Sequence, residues 1–365
     1  MKALVFHGPG SRQWEDVPAP TLEAPTDIII RVDASTICGS DLHILKGDVP
    51  AVKLGTILGH EAVGTVTEMG GAVTTVAVGD RVLVSCITSC GRCEQCKAAR
   101  YGLCTGGGGW ILGHLINGVQ AEYARIPFAD TSVYKVPAAL TDEQVLFLAD
   151  ILPTSFEVGV LNGHKPGDTV AVIGAGPVGL AAVLTASLFT PSRIVVIDGD
   201  KTRLARAIEC GASDAIELIG EAARERVLEL TDGVGVDVAI EAVGIPETFE
   251  LCTDIVRSGG HVANVGVHGK PATLHLERLW IKGVTITTGL VDTSSTPRLM
   301  ALVSAGKLDP LVFVTHRFPL ERAEEAYDAF GAARETGAFK VVLEGAKYQR
   351  LVPVGAAVGK EADVS

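Results

Sequence analysis

Over the first 150 residues the apolar positions come in short runs or alternate with polar ones, at 3–6, 28–32, 62–67 and 81–85, with Gly, Pro or Asp between runs. Period-two alternation broken by turn formers predicts a turn-rich, antiparallel β region. From about Pro166 the texture changes. Apolar runs at 170–173, 194–197, 236–240, 261–265 and 284–288 predict strands, and the longer stretches 201–210 and 246–257 between them read as helices. Strand and helix in alternation predict a parallel, doubly wound sheet, so the fold class is α/β with a second, mainly β part. After about Asp292 the alternation stops; a helical stretch at 322–331 precedes a strand at 340–343 that is expected to rejoin the first region, and a weakly ordered tail is expected beyond Tyr348. The division is therefore 1–153, 154–292 and 293–365, two domains with a C-terminal return, as a chain of 365 residues favours.

One span tests that picture. Residues 169–189 carry no charge and are about long enough to cross a bilayer. They open with β-branched residues, break at Gly174, Gly176, Pro177 and Gly179 and only then become Ala/Leu-rich, which is strand, turn and helix. The N-terminus has no secretory pattern, so the cytoplasm is the expected compartment. A net charge of −12 without a basic run excludes a nucleic-acid surface, and nothing predicts membrane binding.

The break itself carries chemistry. Gly174-Ala175-Gly176-Pro177-Val178-Gly179 follows an apolar strand and opens a helix, the context in which such a turn cradles a pyrophosphate. Asp198 ends the next strand, nineteen residues past Gly179, where its carboxylate can accept from a ribose hydroxyl and repel a 2′-phosphate. NAD is therefore the expected cofactor, with Lys201 and Arg203 near enough in sequence to permit some NADP. Val265, Val267 and Leu290, at later strand ends, are expected to touch the cofactor too.

Cys90, Cys93, Cys96 and Cys104 place four thiols within fifteen residues. Four thiolates close a tetrahedral zinc site with no open position, so the role is structural. Cys86 lies outside the spacing, and Cys210 and Cys252 are expected as buried thiols.

More dispersed are Cys38-Gly39-Ser40-Asp41 with His43, then Gly59-His60-Glu61, then Asp150. With the four-Cys lobe, Gly79-Asp80-Arg81-Val82, Ala121-Glu122-Tyr123 and the dinucleotide turn in this order, the chain resembles the zinc-containing medium-chain alcohol dehydrogenases over nearly its whole length. The Asp at 150 resembles the branch with bacterial secondary alcohol and certain formaldehyde dehydrogenases. The resemblance implies a GroES-like catalytic domain carrying the zinc lobe and a Rossmann domain. It also implies a catalytic zinc on Cys38, His60 and Asp150, and a neighbouring Glu61 that approaches the metal in part of the cycle. Three ligands leave one position for water or a substrate oxygen. Ser40 and His43 are implied as a proton relay and Thr154 as packing on the nicotinamide, while Asp41 is a candidate acceptor for the free ring N–H of His60. Trp110 either walls the substrate pocket or only packs. The implied activity is reversible hydride transfer between a simple secondary or primary alcohol and NAD+, by a homo-oligomer, a tetramer in the first instance. The alternatives are a polyol or amino-alcohol dehydrogenase and a silent NAD-binding protein.

Overall fold

The computed structural model describes residues 1–161 and 163–345; the tail expected beyond Tyr348 lies outside them. Two sheets organise the chain. The first contains β3 (Ile28–Thr36), β4 (Ala62–Met69), β5 (Arg81–Val84), β6 (Tyr123–Ile126) and β7 (Val133–Lys135), with a small hairpin of β1 (Lys2–Gly8) and β2 (Ser11–Asp16) beside it. The second contains β8 (Thr169–Ile173), β9 (Arg193–Ile197), β10 (Asp214–Ile216), β11 (Val236–Glu241), β12 (Val256–Asn264) and β13 (Thr285–Thr288). The chain then returns, as β14 (Val314–Pro319) and β15 (Lys340–Glu344), to the first sheet.

In that first sheet β3 is central. It pairs with β4 along one edge, and on the other it pairs with β6 over Ile28–Arg31 and with β15 over Ala34–Thr36. The second sheet is parallel throughout, in the order β10-β9-β8-β11-β12-β13, and helices connect its strands. Its inner strands are Val/Ile/Ala-rich and buried on both faces, as a sheet covered by helices requires. The strand order reverses between β8 and β11, and ligands of such sheets bind at the carboxyl ends beside that switch.

The helix expected over 246–257 stops at Ile255, and Val256–Arg257 already belong to β12, because Val256 pairs with Val236. The helices Gly220–Leu230 and Thr296–Ser304 and the strands β10 and β14 are further elements that the pattern of apolar positions did not predict. The two sheets share a core that includes Phe147, Leu148, Leu299 and Phe313. Glu157 pins the return segment, accepting the amides of Asp292, Thr293 and Ser295.

Candidate active site

Register brings the dispersed residues together. β3 and β4 run antiparallel with Ser35 opposite Ala62, so continuing past that pair carries Cys38 and His60 to neighbouring positions. Ser35 Oγ donates to the Glu61 carbonyl and holds that junction. The segment before Asp150 is tied to the end of β5 by the Cys86 amide, which donates to the Ala149 carbonyl. The result is a cluster in which one ligand atom each of Cys38, His60, Glu61 and Asp150 lie within 4.8 Å of one another. His60 Nε2 is 3.3 Å and Cys38 Sγ 3.7 Å from Asp150 Oδ2.

The cluster fits a cation. Burial and the Asp150 carboxylate push the Cys38 thiol up. Burial would lower His60, yet its hydrogen bonds with Asp150 and Cys38 hold it well above the ordinary imidazole range. Burial would raise Asp150, yet His60 and Thr154 hold it down to about 2. Surroundings that favour a proton on a buried imidazole this strongly favour a divalent ion as well. Behind the ring, His60 Nδ1 faces Asp41 Oδ1 at 3.7 Å, and both atoms are buried without another partner. A metal-bound imidazole uses such an acceptor for its second nitrogen.

The neighbours fall into place around this centre. The helix Gly39–Lys46 starts at Cys38, whose amide donates to Asp41 Oδ2 at 2.9 Å, so a single carboxylate caps the helix and backs His60. Ser40 Oγ lies 3.5 Å from His60 Nε2. His43, three residues on, has Nδ1 2.8 Å from Asp48 Oδ2. Thr154 Oγ1 donates to Asp150 Oδ1 at 2.6 Å. Glu61 Oε1 is paired at 2.8 Å with Lys340 Nζ, and both side chains are buried. That partner, along with Asp48, sequence reasoning missed: a lone Lys in a strand at the far end of the chain carries no local signal.

At the dinucleotide turn each glycine has its own reason. Gly174 has φ +97°, and a Cβ there would meet Val243; a Cβ on Gly179 would lie 1.8 Å from the Gly174 carbonyl oxygen. Gly176 faces open space, where a pyrophosphate can approach the backbone. Pro177 is the first residue of the helix Pro177–Ser187 and Val178 the second. Asp198 accepts the Ala175 amide at 2.7 Å and the Asp200 amide at 2.9 Å, so it also braces the turn. The Arg203 amide donates to Asp200, at the start of the next helix. Glu241, fully buried at the end of β11, takes the amides of Val243 and Gly244 and fixes the loop beside it.

Between the two sheets a cavity of about 470 Å³ joins these parts. Cys38, Ser40, His43, His60, Asp150 and Thr154 line it on one side, and Pro177, Val178, Val265, Val267 and Leu290 on the other. Trp110 is a wall residue, its ring edge-on to His60 at 6.1 Å and stacked on His114 at 4.4 Å. Cys86 also lines the cavity, a placement its spacing did not suggest. Asp198 and Arg203 are not among the lining residues.

Outside the cavity, the ligand atoms of Cys90, Cys93, Cys96 and Cys104 lie within 4.8 Å of one another, and all four cysteines are free. Sulfur pairs at 3.4 and 3.9 Å bracket the roughly 3.8 Å edge of a zinc–thiolate tetrahedron and are far too long for disulfides. The amides of Cys90 and Gly106 point at Cys104 Sγ, and that of Cys96 points at Cys93 Sγ and holds the Cys93 thiol down to about 5. Gly102 is a close approach of the lobe to the return segment: a Cβ there would lie 2.5 Å from the Val291 carbonyl oxygen.

A cation centre opening onto a dinucleotide turn across one cavity defines a metal-dependent, dinucleotide-linked oxidoreductase. Comparison with known proteins agrees. Residues 24–138 match the alcohol dehydrogenase GroES-like domain and residues 177–305 the zinc-binding dehydrogenase domain. An alcohol dehydrogenase of Cupriavidus necator is 34% identical over 371 residues, 94% of this chain and 98% of its own. Zinc-dependent alcohol dehydrogenase 2 of Streptococcus pneumonia superposes with a TM-score of 0.89 at 46% identity, covering 95% of this chain and 99% of that one. An Escherichia coli alcohol dehydrogenase solved with NADH gives 0.86 at 26%, covering 94% and 99%. The chain belongs to the zinc-type alcohol dehydrogenase family, and its cofactors are zinc and NAD(P). Among the described residues no helix is long and apolar enough to cross a membrane.

Proposed function

We propose that this enzyme oxidises small, weakly polar alcohols, secondary ones foremost, with NAD+, and reduces the matching ketones and aldehydes. The cavity carries this reading. Away from the metal cluster its walls are Val49, Ile87, Trp110, Leu290 and Phe330, and its ionisable lining residues all sit in the cluster, beside it, or in the Ser40–His43 pair. Among the described lining residues no charged side chain away from the cluster is left over to recognise the carboxylate of an amino acid, and the apolar wall offers few partners for the further hydroxyls of a polyol, which are costly to bury unpaired.

Bound zinc supplies the Lewis acidity that makes the alcohol acidic, and bound NAD+ accepts the hydride. Cys38, His60 and Asp150 hold the ion, with Asp41 orienting the ring of His60. Glu61 stays with Lys340, which neutralises it and keeps it in reserve behind the ligands. Ser40 Oγ accepts the alcohol proton as its own hydroxyl proton passes on toward His43, which carries it outward. Because Asp48 engages His43 Nδ1, the other ring nitrogen is the one free to take that proton. Thr154 orients Asp150 through its hydroxyl. Gly174 to Gly179 and the helix behind them receive the pyrophosphate, Asp198 selects NAD+ over NADP+, and Val265, Val267 and Leu290 face the nicotinamide end. The four-Cys lobe binds a second, structural zinc.

We further propose the division 1–153, 154–292 and 293–365, a cytoplasmic location, and self-association through the free edge of β13. The test is a panel of alcohols and carbonyls with NAD(H) and NADP(H). Propan-2-ol and butan-2-ol should outpace sorbitol and threonine by at least tenfold in kcat/KM; activity confined to polyols or threonine would overturn the reading.

A further inference from the structure

Behind His60 and Asp41 the protein buries two more polar side chains in line. Tyr327, on the helix Ala323–Gly331, packs against Leu4, Phe6, Ile37, Leu320 and Phe330, with the Arg12 guanidinium 5.0 Å over its ring. Its hydroxyl donates to Gln120 Oε1 at 2.7 Å. The Gln120 amide then presents Nε2 inward, 3.3 Å from the Thr36 carbonyl oxygen and 3.4 Å from Asp41 Oδ2. The flipped amide would set Oε1 against a carbonyl and a carboxylate oxygen, so the order of the chain is fixed by its own chemistry. Tyr327, Gln120 and Asp41 are each at most 1% exposed, and His60 is 3%.

The backbone makes room for this line. Gly59 has φ +90°, and a Cβ there would fall 2.5 Å from Gln120 Cγ. The residue before His60 is thus glycine both because of its backbone conformation and because the Gln120 side chain lies against it. A phenol and an amide in an apolar core gain little in stability over Phe and Leu of similar shape. Their placement answers a different need, since an Asp41 carboxylate free to rotate would lose its aim at His60 Nδ1.

We infer that Tyr327 and Gln120 are positioning residues for the catalytic metal: they fix the Asp41 carboxylate so that it accepts the Nδ1 proton of His60 and keeps Nε2 turned toward Cys38 and Asp150. The inference rests on reading Cys38, His60 and Asp150 as that metal's ligands. It extends the support of the site to the C-terminal return segment, some 270 residues along the chain from His60 by sequence number (327 − 60 = 267).

The test uses holoenzyme and the variants Tyr327→Phe and Gln120→Leu, titrated with chelators of graded strength, with zinc per chain as the readout. Removing an outer partner of a ligating histidine typically weakens metal binding about 10- to 100-fold. Both variants should therefore lose one zinc at chelator strengths that wild type resists, while the four-Cys zinc stays as an internal reference. With Co²⁺ in the catalytic site, the visible absorption bands should shift in both. A merely structural role would lower the melting temperature and leave the relative retention of the two metals unchanged, which overturns the inference, as does wild-type retention in both variants. Wild type holding only the four-Cys zinc would instead overturn the metal-site reading beneath it.

Discussion

In the proposed relay the hydroxyl of Ser40 and the imidazole of His43, held by Asp48, would move one proton between them, and each can be tested alone. Ser40→Ala should lower kcat about 10²- to 10⁴-fold, the usual range for a positioned proton acceptor, with zinc content and NADH affinity unchanged. A variant retaining more than a tenth of wild-type kcat would remove Ser40 from the relay. Asp198 poses a sharper question, because its carboxylate serves the Ala175 and Asp200 amides as well as facing outward chemistry. In Asp198→Gly the ratio of kcat/KM for NADP+ to that for NAD+ should rise at least tenfold, since a negative charge no longer opposes the 2′-phosphate. If both cofactors weaken in step, the carboxylate only braces the turn. Sequence reading reached these residues unequally. Asp198 and the glycines sit at fixed offsets from a strand, so local pattern sufficed, whereas Cys38, His60 and Asp150 are joined only by the β3–β4 register and the Cys86–Ala149 tie, and needed a family resemblance to be read as one set. Lys340, Gln120 and Tyr327 had no such signal; what makes each of them matter is a partner far away in sequence.

Among the elements, legibility followed burial. β8, β9 and β11 were readable because strands covered on both faces must be apolar, as was the buried second half of β12 from Gly260, while β10, only Asp-Ala-Ile, and β14, with Thr, His and Arg among its six residues, take their conformation from the strands beside them. The boundary error at Val256 has the same origin, a tertiary pairing overriding a helical pattern. One surface connection makes a measurable claim at this scale. Asp130, on the short helix Ala129–Ser132, accepts the amides and hydroxyls of both Thr74 and Thr75. Burial would raise its pKa, yet these donors hold it down to about 2, below the 3.8 it has in an unfolded chain. A depressed carboxylate stabilises the fold above its unfolded pKa and loses that contribution as pH falls through the folded one. Asp130→Asn, which keeps one acceptor oxygen but loses the charge and the other, should therefore cost less than about 1 kcal/mol on so exposed a group. In thermal melts its deficit should be constant from pH 8 to about 5 and narrow below about 4; a deficit that grows on acidification would refute the assignment. The thiol lobe offers the companion test, in which Cys90→Ser should reduce zinc from two ions per chain to one while the other metal stays.

At the scale of the whole molecule, the six-stranded sheet has an edge at which no strand pairs among the described residues. β13 pairs only with β12, so its outer backbone groups are unpaired, and an exposed strand edge invites another strand. Just before it, Leu276, which opens the short helix Leu276–Leu279, and Trp280 and Ile281, which follow that helix, are 61%, 74% and 74% exposed. Isolated apolar residues on a surface are ordinary, but three large ones beside an open edge form a patch of the kind that marks association. In the self-association proposed above, a second copy of this chain would present the same edge and the same residues, and a two-fold contact would satisfy both at once, with β13 antiparallel to its counterpart. Such a dimer also bears on catalysis, because Val267 and Leu290, which line the cavity, flank the strand ends next to this edge and are themselves 75% and 48% exposed. Placing a charge in the middle of the patch should thus separate the copies and loosen the nicotinamide end of the cavity together. Ile281→Glu is expected to raise the dimer dissociation constant at least 100-fold by light scattering, the loss of about 2.7 kcal/mol, and to raise the KM for NAD+ while both zinc ions remain bound. A variant that stays associated at nanomolar concentration would show that this edge is not the contact, and one that becomes monomeric with unchanged cofactor kinetics would separate assembly from the site.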